Sequence, residues 1–190
     1  MLFVHLLTSR RRLVGGDDPD TLTAMQLLAE CYNSEGKNDE AESLLVDVMK
    51  GRRRTQGADH PETLAVMESL AVAICHRKSF AEAERLFREC LEIRKKIMPD
   101  SWQRYNTESD VGASLFGQSK FSEAEPVLLF AYEGMKAREK DLQPILRVRL
   151  ADAAWRLKTL YESWGKKEKR DEWLIRHADL VFPDHPFVAS

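Results

Sequence analysis

The chain has 190 residues, 43% hydrophobic and 32% charged, with a formal net charge of −2. That is a folded, polar-surfaced chain, and it gives no ground for nucleic acid or a membrane surface as partner. Cys31, Cys75 and Cys90 form no CxxC pair and no metal-like grouping with histidine, so reduced thiols in a cytoplasmic setting are expected, with no metal and no cofactor.

The opening residues 1–7 are apolar, but the run is too short for a signal segment, and its arginines follow instead of preceding it. No stretch approaches the ~18 apolar residues of a membrane span. What organises the chain is a repeat. Pro19-Asp20-Thr21-Leu22 returns 42 residues later as Pro61-Glu62-Thr63-Leu64, and Phe80-Ala81-Glu82-Ala83-Glu84 returns after 41 more as Phe121-Ser122-Glu123-Ala124-Glu125. A period of this length means stacked supersecondary units that share their cores. The fold class is therefore all-α, a right-handed solenoid of antiparallel helix pairs.

In chain order, residues 1–17 read as the second helix of a truncated repeat. Shifting Arg52-Arg53-Arg54 back by 42 gives Arg10-Arg11-Arg12, and Gly57 falls on Gly15. Leu2, Phe3, Leu6 and Leu7 have helical spacing and lack part of their cover.

Repeat one, residues 18–59, opens with Asp18 capping a helix whose first position is Pro19. Met25, Leu28, Ala29 and Tyr32 make its apolar stripe. Gly36 supplies the left-handed break, and Ala41, Leu44, Leu45, Val48 and Met49 line the second helix.

Repeat two, residues 60–100, repeats the plan with Met67, Leu70, Ala71 and Ile74, then Ala83, Leu86, Phe87, Cys90, Leu91 and Ile97. Its turn is Arg77-Lys78-Ser79, with Ser79 and Glu82 as a capping box. Repeat three, residues 101–143, is capped by Ser101. It continues with Val111, Gly112, Leu115, Ala124, Leu128 and Leu129, and Pro126 removes one hydrogen bond from its second helix.

Residues 144–180 form a degenerate closing pair in which Leu157, Tyr161 and Gly165 keep their distances and Lys158 replaces the small residue. Trp155, Trp164 and Trp173 add bulk there. Residues 181–190 are a tail without period.

Met25-x2-Leu28-Ala29-x2-Tyr32 with Ala41-x3-Leu45, and Met67-x2-Leu70-Ala71-x2-Ile74 with Ala83-x3-Phe87, resemble the tetratricopeptide signature. The small residues permit a close helix crossing. The 42-residue period and the Asp59 to Leu64 opening resemble the kinesin-light-chain-like subclass. Glu89 to Lys96, Phe121 to Leu129 and Tyr132 to Glu139 resemble the repeat arrays attached to bacterial serine/threonine protein kinases. The resemblance implies a non-catalytic scaffold for a protein or peptide. Where peptide-binding members carry paired asparagines, this chain has Gln26 and Leu27, Glu68 and Ser69, and Ser109 and Asp110.

First helices of such arrays line the concave groove, which here presents Gln26, Glu30, Asn33, Glu68, Val72, Cys75, His76, Ser109, Ala113, Phe116 and Trp155. Polar residues give way to apolar ones along that row, a pattern suited to a peptide or helix. The alternative function is self-association through residues 1–14.

The triplets Arg10–Arg12, Arg52–Arg54 and Arg94–Lys96 recur at the repeat spacing and would stack as a basic ridge. Their reading is structural, as cations at helix C-termini. Asp59-His60 and Asp184-His185 are caps or turns bounded by proline, not metal ligands. No nucleophile motif, phosphate loop or zinc spacing is present.

Overall fold

A computed structural model describes residues 13, 15–141 and 147–177. The readings for residues 1–12 and 14, for the chain around 142–146 and for the tail from 178 lie outside the described residues. Eight α-helices are described, and no strand occurs among the described residues. They are α1 Pro19–Ser34, α2 Asn38–Thr55, α3 Pro61–His76, α4 Phe80–Ile97, α5 Trp102–Gly117, α6 Phe121–Lys136, α7 Arg147–Ser163 and α8 Lys167–Arg176. A short 3-10 turn, Glu139–Asp141, follows α6. The chain divides into two compact units after Ile97.

The first unit holds two helix pairs. Each helix packs on the next in sequence, and α1 also touches α3. That second-neighbour contact is what stacking of successive pairs produces. The start of each first helix follows from local chemistry. Asp18 accepts both the Thr21 N–H and the Thr21 hydroxyl at 2.9 Å, ahead of Pro19. His60 Nδ1 accepts the Glu62 N–H at 3.2 Å, ahead of Pro61. Both devices satisfy an N–H that the first helical turn leaves over.

The core of this unit is Leu22, Met25, Ala29, Ala41, Leu45 and Val48, continued by Leu64, Met67, Leu70, Ala71, Ile74, Ala83, Phe87, Cys90 and Leu91, all buried. Leu28, Tyr32, Leu44 and Met49 are half-buried. Cys90 is packed beneath Leu64 and Met67, its thiol 3.8 Å from the Leu64 carbonyl. Ile97, expected on the inner face of α4, is instead exposed, because it ends the helix where no further turn is left to cover it.

In the second unit α5 pairs with α6 and α7 with α8, and again α6 packs on α7 and α5 touches α7. Ser101 caps α5 by accepting the Arg104 N–H at 3.2 Å. Pro126 lies inside α6 on an exposed face, where the lost hydrogen bond faces water. A Cβ on Gly112 would lie 2.6 Å from Leu128 Cγ, so this glycine occupies a tight crossing of α5 and α6, where Ala29 and Ala71 occupy the equivalent repeat positions. A Cβ on Gly134 would overlap the buried Tyr105 ring. Gly134→Ala is therefore expected to cost about 1–3 kcal/mol by overpacking, despite the better helix propensity of alanine. Chemical denaturation measures it.

The four hairpin turns share one backbone conformation without sharing a residue. Gly36 has φ 74°, Lys78 61°, Ser119 61° and Gly165 73°. Two non-glycine residues thus hold the left-handed region, which costs an L-residue on the order of 1 kcal/mol. The anticipated capping box at Ser79 is replaced by backbone bonding, the Glu82 N–H donating to the Ser79 carbonyl at 3.1 Å. Replacing exposed Ser119 with glycine should raise stability by about 0.5–1 kcal/mol, the relief of strain exceeding the entropy that glycine adds to the unfolded chain. A shift of the denaturation midpoint with an unchanged m-value would establish it.

Candidate functional site

In the first unit two buried arginines on the second helices, α2 and α4, pair with residues of the first-helix row. Ala41, Leu45 and Val48 form the buried stripe of α2, and Arg52 continues it at i+4 from Val48. Ala83, Phe87 and Cys90 do the same on α4, and Arg94 continues that stripe. A guanidinium that must follow a buried stripe needs partners in the interior. Arg94, with 6% of its side chain exposed, donates to Glu68 at 2.7 Å. Arg52, at 5%, pairs with Glu62 and reaches Gln26 Oε1 at 3.5 Å and the Thr23 hydroxyl at 3.3 Å. Gln26 and Glu68 are equivalent repeat positions, and each is held from behind by the arginine of its own hairpin.

Around these anchors the row is open. Gln26 donates to Glu30 at 3.3 Å, and Glu30 is exposed. Asn33, Val72 and Cys75 are half-buried. His76, largely exposed at the end of α3, has its pKa lowered by the protein that displaces water from its ring. Polar acceptors thus alternate with an apolar step at Val72.

In the second unit the arginine comes from α7. Arg156 donates to the Ser109 hydroxyl at 2.9 Å and pairs with Asp110 at 2.7 Å, while Asn106 donates to Asp110 at 3.2 Å. Ser109, expected at the groove surface, is buried, because Arg156 lies over it. Ala113, Phe116 and Trp155 are half-buried. The Phe116 ring is 6.0 Å from Phe121, which stacks at 6.2 Å on Trp164. Lys166 and Lys169 approach the Trp164 ring at 5.3 and 5.9 Å. Beside this ladder Lys169 pairs with Glu125 at 2.5 Å, and burial together with the Glu125 carboxylate raises the Tyr161 pKa.

The basic triplets do not make a ridge among the described residues. Arg52 and Arg94 are buried and paired. Arg53 donates to Glu89 at 2.6 Å and Arg54 grips Asp17 with two bonds of 2.6 and 3.0 Å. That grip holds the Asp17 carboxyl below the usual carboxylate range. Glu62 is lowered as well, chiefly by the hydrogen bond from Gln56 and further by Arg52. Arg10–Arg12 lie outside the described residues. The ladder Phe121–Trp164 and the roles of Arg52, Arg94 and Arg156 went unread in the sequence. The signal for the first two arginines was their i+4 spacing from Val48 and Cys90.

Among the described residues no group of three or more His, Cys, Asp or Glu could hold a metal ion, and no helix is long and apolar enough to cross a membrane. A tetratricopeptide repeat family model matches residues 27–96. The fold is similar to a kinesin-light-chain candidate with nearly identical TPR-like repeats from Podosopora anserina, with TM-score 0.73 and 20% identity over 94% of this chain and 83% of that one. It is similar to BtubC (BKLC) of P. vanneervenii at TM-score 0.73 and 18% identity, over 100% of this chain and 76% of that one. MamA of AMB-1 matches at TM-score 0.56 and 16% identity, over 95% of this chain and 89% of that one. No curated protein sequence matches significantly. The architecture is a TPR-type solenoid, a fold class of non-catalytic interaction scaffolds.

Proposed function

We propose that this chain is a scaffold that holds a peptide or helix of a partner protein against the first-helix faces of its units. The reading rests on one observation above the rest. Gln26 and Glu68 are fixed by the buried Arg52 and Arg94, so a row of acceptors stands preordered beside Glu30, Asn33, Val72 and His76. Preordering lowers the entropy a partner must lose on binding. Half-buried Phe116 and Trp155 offer anchoring area of the kind that dominates such interfaces. The likeness of Phe121 to Leu129 and Tyr132 to Glu139 to kinase-attached arrays supports a place in a kinase-linked regulatory protein.

Val72→Arg and Phe116→Ala, one in each unit, test the reading by capture of partners from lysate of the source cells. Both should lose at least tenfold of the captured partner while far-ultraviolet circular dichroism stays at the unsubstituted level. Undiminished capture by both variants would remove the groove from consideration.

A further inference from the structure

We infer that Arg156 and Asn106 hold the main chain of an extended partner peptide against the second unit. The guanidinium donates to a backbone carbonyl, and the amide oxygen of Asn106 accepts a neighbouring backbone N–H. The inference rests on the groove reading above and specifies how that groove grips its partner. Both residues stand on first helices that touch, Asn106 on α5 and Arg156 on α7. Ser109 lies buried beneath Arg156, so the guanidinium is what the face presents at this point.

One carboxylate orders the pair. Asp110, with 11% of its side chain exposed, binds Arg156 at 2.7 Å and accepts from the Asn106 amide at 3.2 Å. Because a carboxylate only accepts, it fixes the amide nitrogen toward itself and leaves the Asn106 oxygen for another donor. Of the five N–H groups of a guanidinium, Arg156 gives one to Asp110 and one to the Ser109 hydroxyl. The others have no partner among the described residues, and 25% of the side chain is exposed. Thr159, one turn beyond Arg156 and 5% exposed, likewise holds a hydroxyl with no partner among the described residues. Polar groups left over in a partly buried place gain more from a ligand than groups already facing water.

Charge selects the ligand. Asp110 cancels the charge of Arg156, so the site offers donors beside an acceptor with no net charge. A carboxylate brought there would meet that of Asp110, whereas a peptide carbonyl would not. A donor and an acceptor side by side match the C=O and N–H of an extended chain, whatever its side chains. Half-buried Phe116, seven residues from Ser109 and so on the same face of α5, receives an apolar side chain of that peptide.

The test uses short peptides selected from a random-sequence library on the full chain, with affinities read by fluorescence polarisation. Arg156→Lys keeps a cation beside Asp110 but removes the planar donors. It should weaken every selected peptide about tenfold, whatever its sequence, the cost of one hydrogen bond to a charged group. Replacing single backbone amides of the peptide by esters weakens each carbonyl as an acceptor. At one position this should cost the unsubstituted chain a similar factor, and cost Arg156→Lys nothing further. Asn106→Ala leaves the Arg156–Asp110 pair in place and should weaken binding severalfold; it decides the matter if Arg156→Lys disturbs the circular dichroism. Affinities that fall with Phe116→Ala but ignore both Arg156→Lys and Asn106→Ala would overturn this inference and leave the groove reading standing. So would a loss confined to peptides bearing Asp or Glu, since Arg156 would then read a carboxylate. Peptides indifferent to Val72→Arg and Phe116→Ala alike would remove the groove reading, and this inference with it.

Discussion

Trp173→Ala is expected to lower the stability of the second unit by about 3–5 kcal/mol, the range for truncating a buried aromatic. Trp173 is the buried residue of α8, a helix of only 10 residues. Its indole N–H donates to the Ala154 carbonyl on α7 at 3.1 Å. Its ring meets Tyr132 of α6 edge-on at 4.9 Å and lies 3.9 Å from His177. One side chain therefore ties α8 to both helices beneath it, and a helix this short has little stability of its own. Truncation should release α8 before the rest of the unit. Hydrogen exchange would then show amides of residues 167–176 losing protection while those of α5 retain it. Trp173→Phe separates the two contributions: it keeps most of the ring area and loses the indole hydrogen bond, for a cost of about 1 kcal/mol. Retention of α8 protection in Trp173→Ala would mean that the helix is held by something other than this ring.

The closing role of Trp173 was readable in the sequence, because bulk at the end of a repeat array has few other uses. The period did most of the remaining work. It placed the helix starts at Pro19 and Pro61 and the small residues at Ala29, Ala71 and Gly112, since these follow from local chemistry and from a crossing that every repeat must make. Other features were hidden because they depend on what lies across an interface. Lys78 and Ser119 adopt the backbone of Gly36, and no local rule assigns a left-handed turn to lysine or serine. Ser109 looked like a surface residue until α7 brought Arg156 over it. The triplet Arg52-Arg53-Arg54 looked like one patch, yet a helix turns about 100° per residue. Its three side chains accordingly leave in three directions, to the interior, to Glu89 and to Asp17. The triplets do stand in the last turns of their helices, as expected, but the inward pairing of Arg52 and Arg94 depends on carboxylates on the facing helices and is not written in the local sequence.

Those cations carry the second large effect. Arg94→Met is expected to destabilise the first unit by about 3 kcal/mol, because it takes from the Glu68 carboxylate, only 18% exposed, the guanidinium that lies 2.7 Å away. Arg52→Met should cost less, about 1 kcal/mol, although Arg52 is just as buried. Its carboxylate partner Glu62 is 54% exposed and can return to water. The contrast separates two accounts of the arginines. If they acted only as cations at helix C-termini, both substitutions would cost similar amounts, a few tenths to about 1 kcal/mol, screened by salt. If the cost is that of an abandoned interior charge, Arg94→Met should be the worse of the two and nearly indifferent to salt. Adding Glu68→Met should then recover most of the loss, since an apolar pair of similar volume often replaces a buried ion pair without net cost. Urea denaturation of the two single variants and the double variant, at low and high salt, completes the cycle. Recovery of stability in the double variant would also free the row of its fixed acceptor at Glu68. Partner capture should then fall although the fold is restored, which assigns the loss to the missing Glu68 carboxylate and not to unfolding.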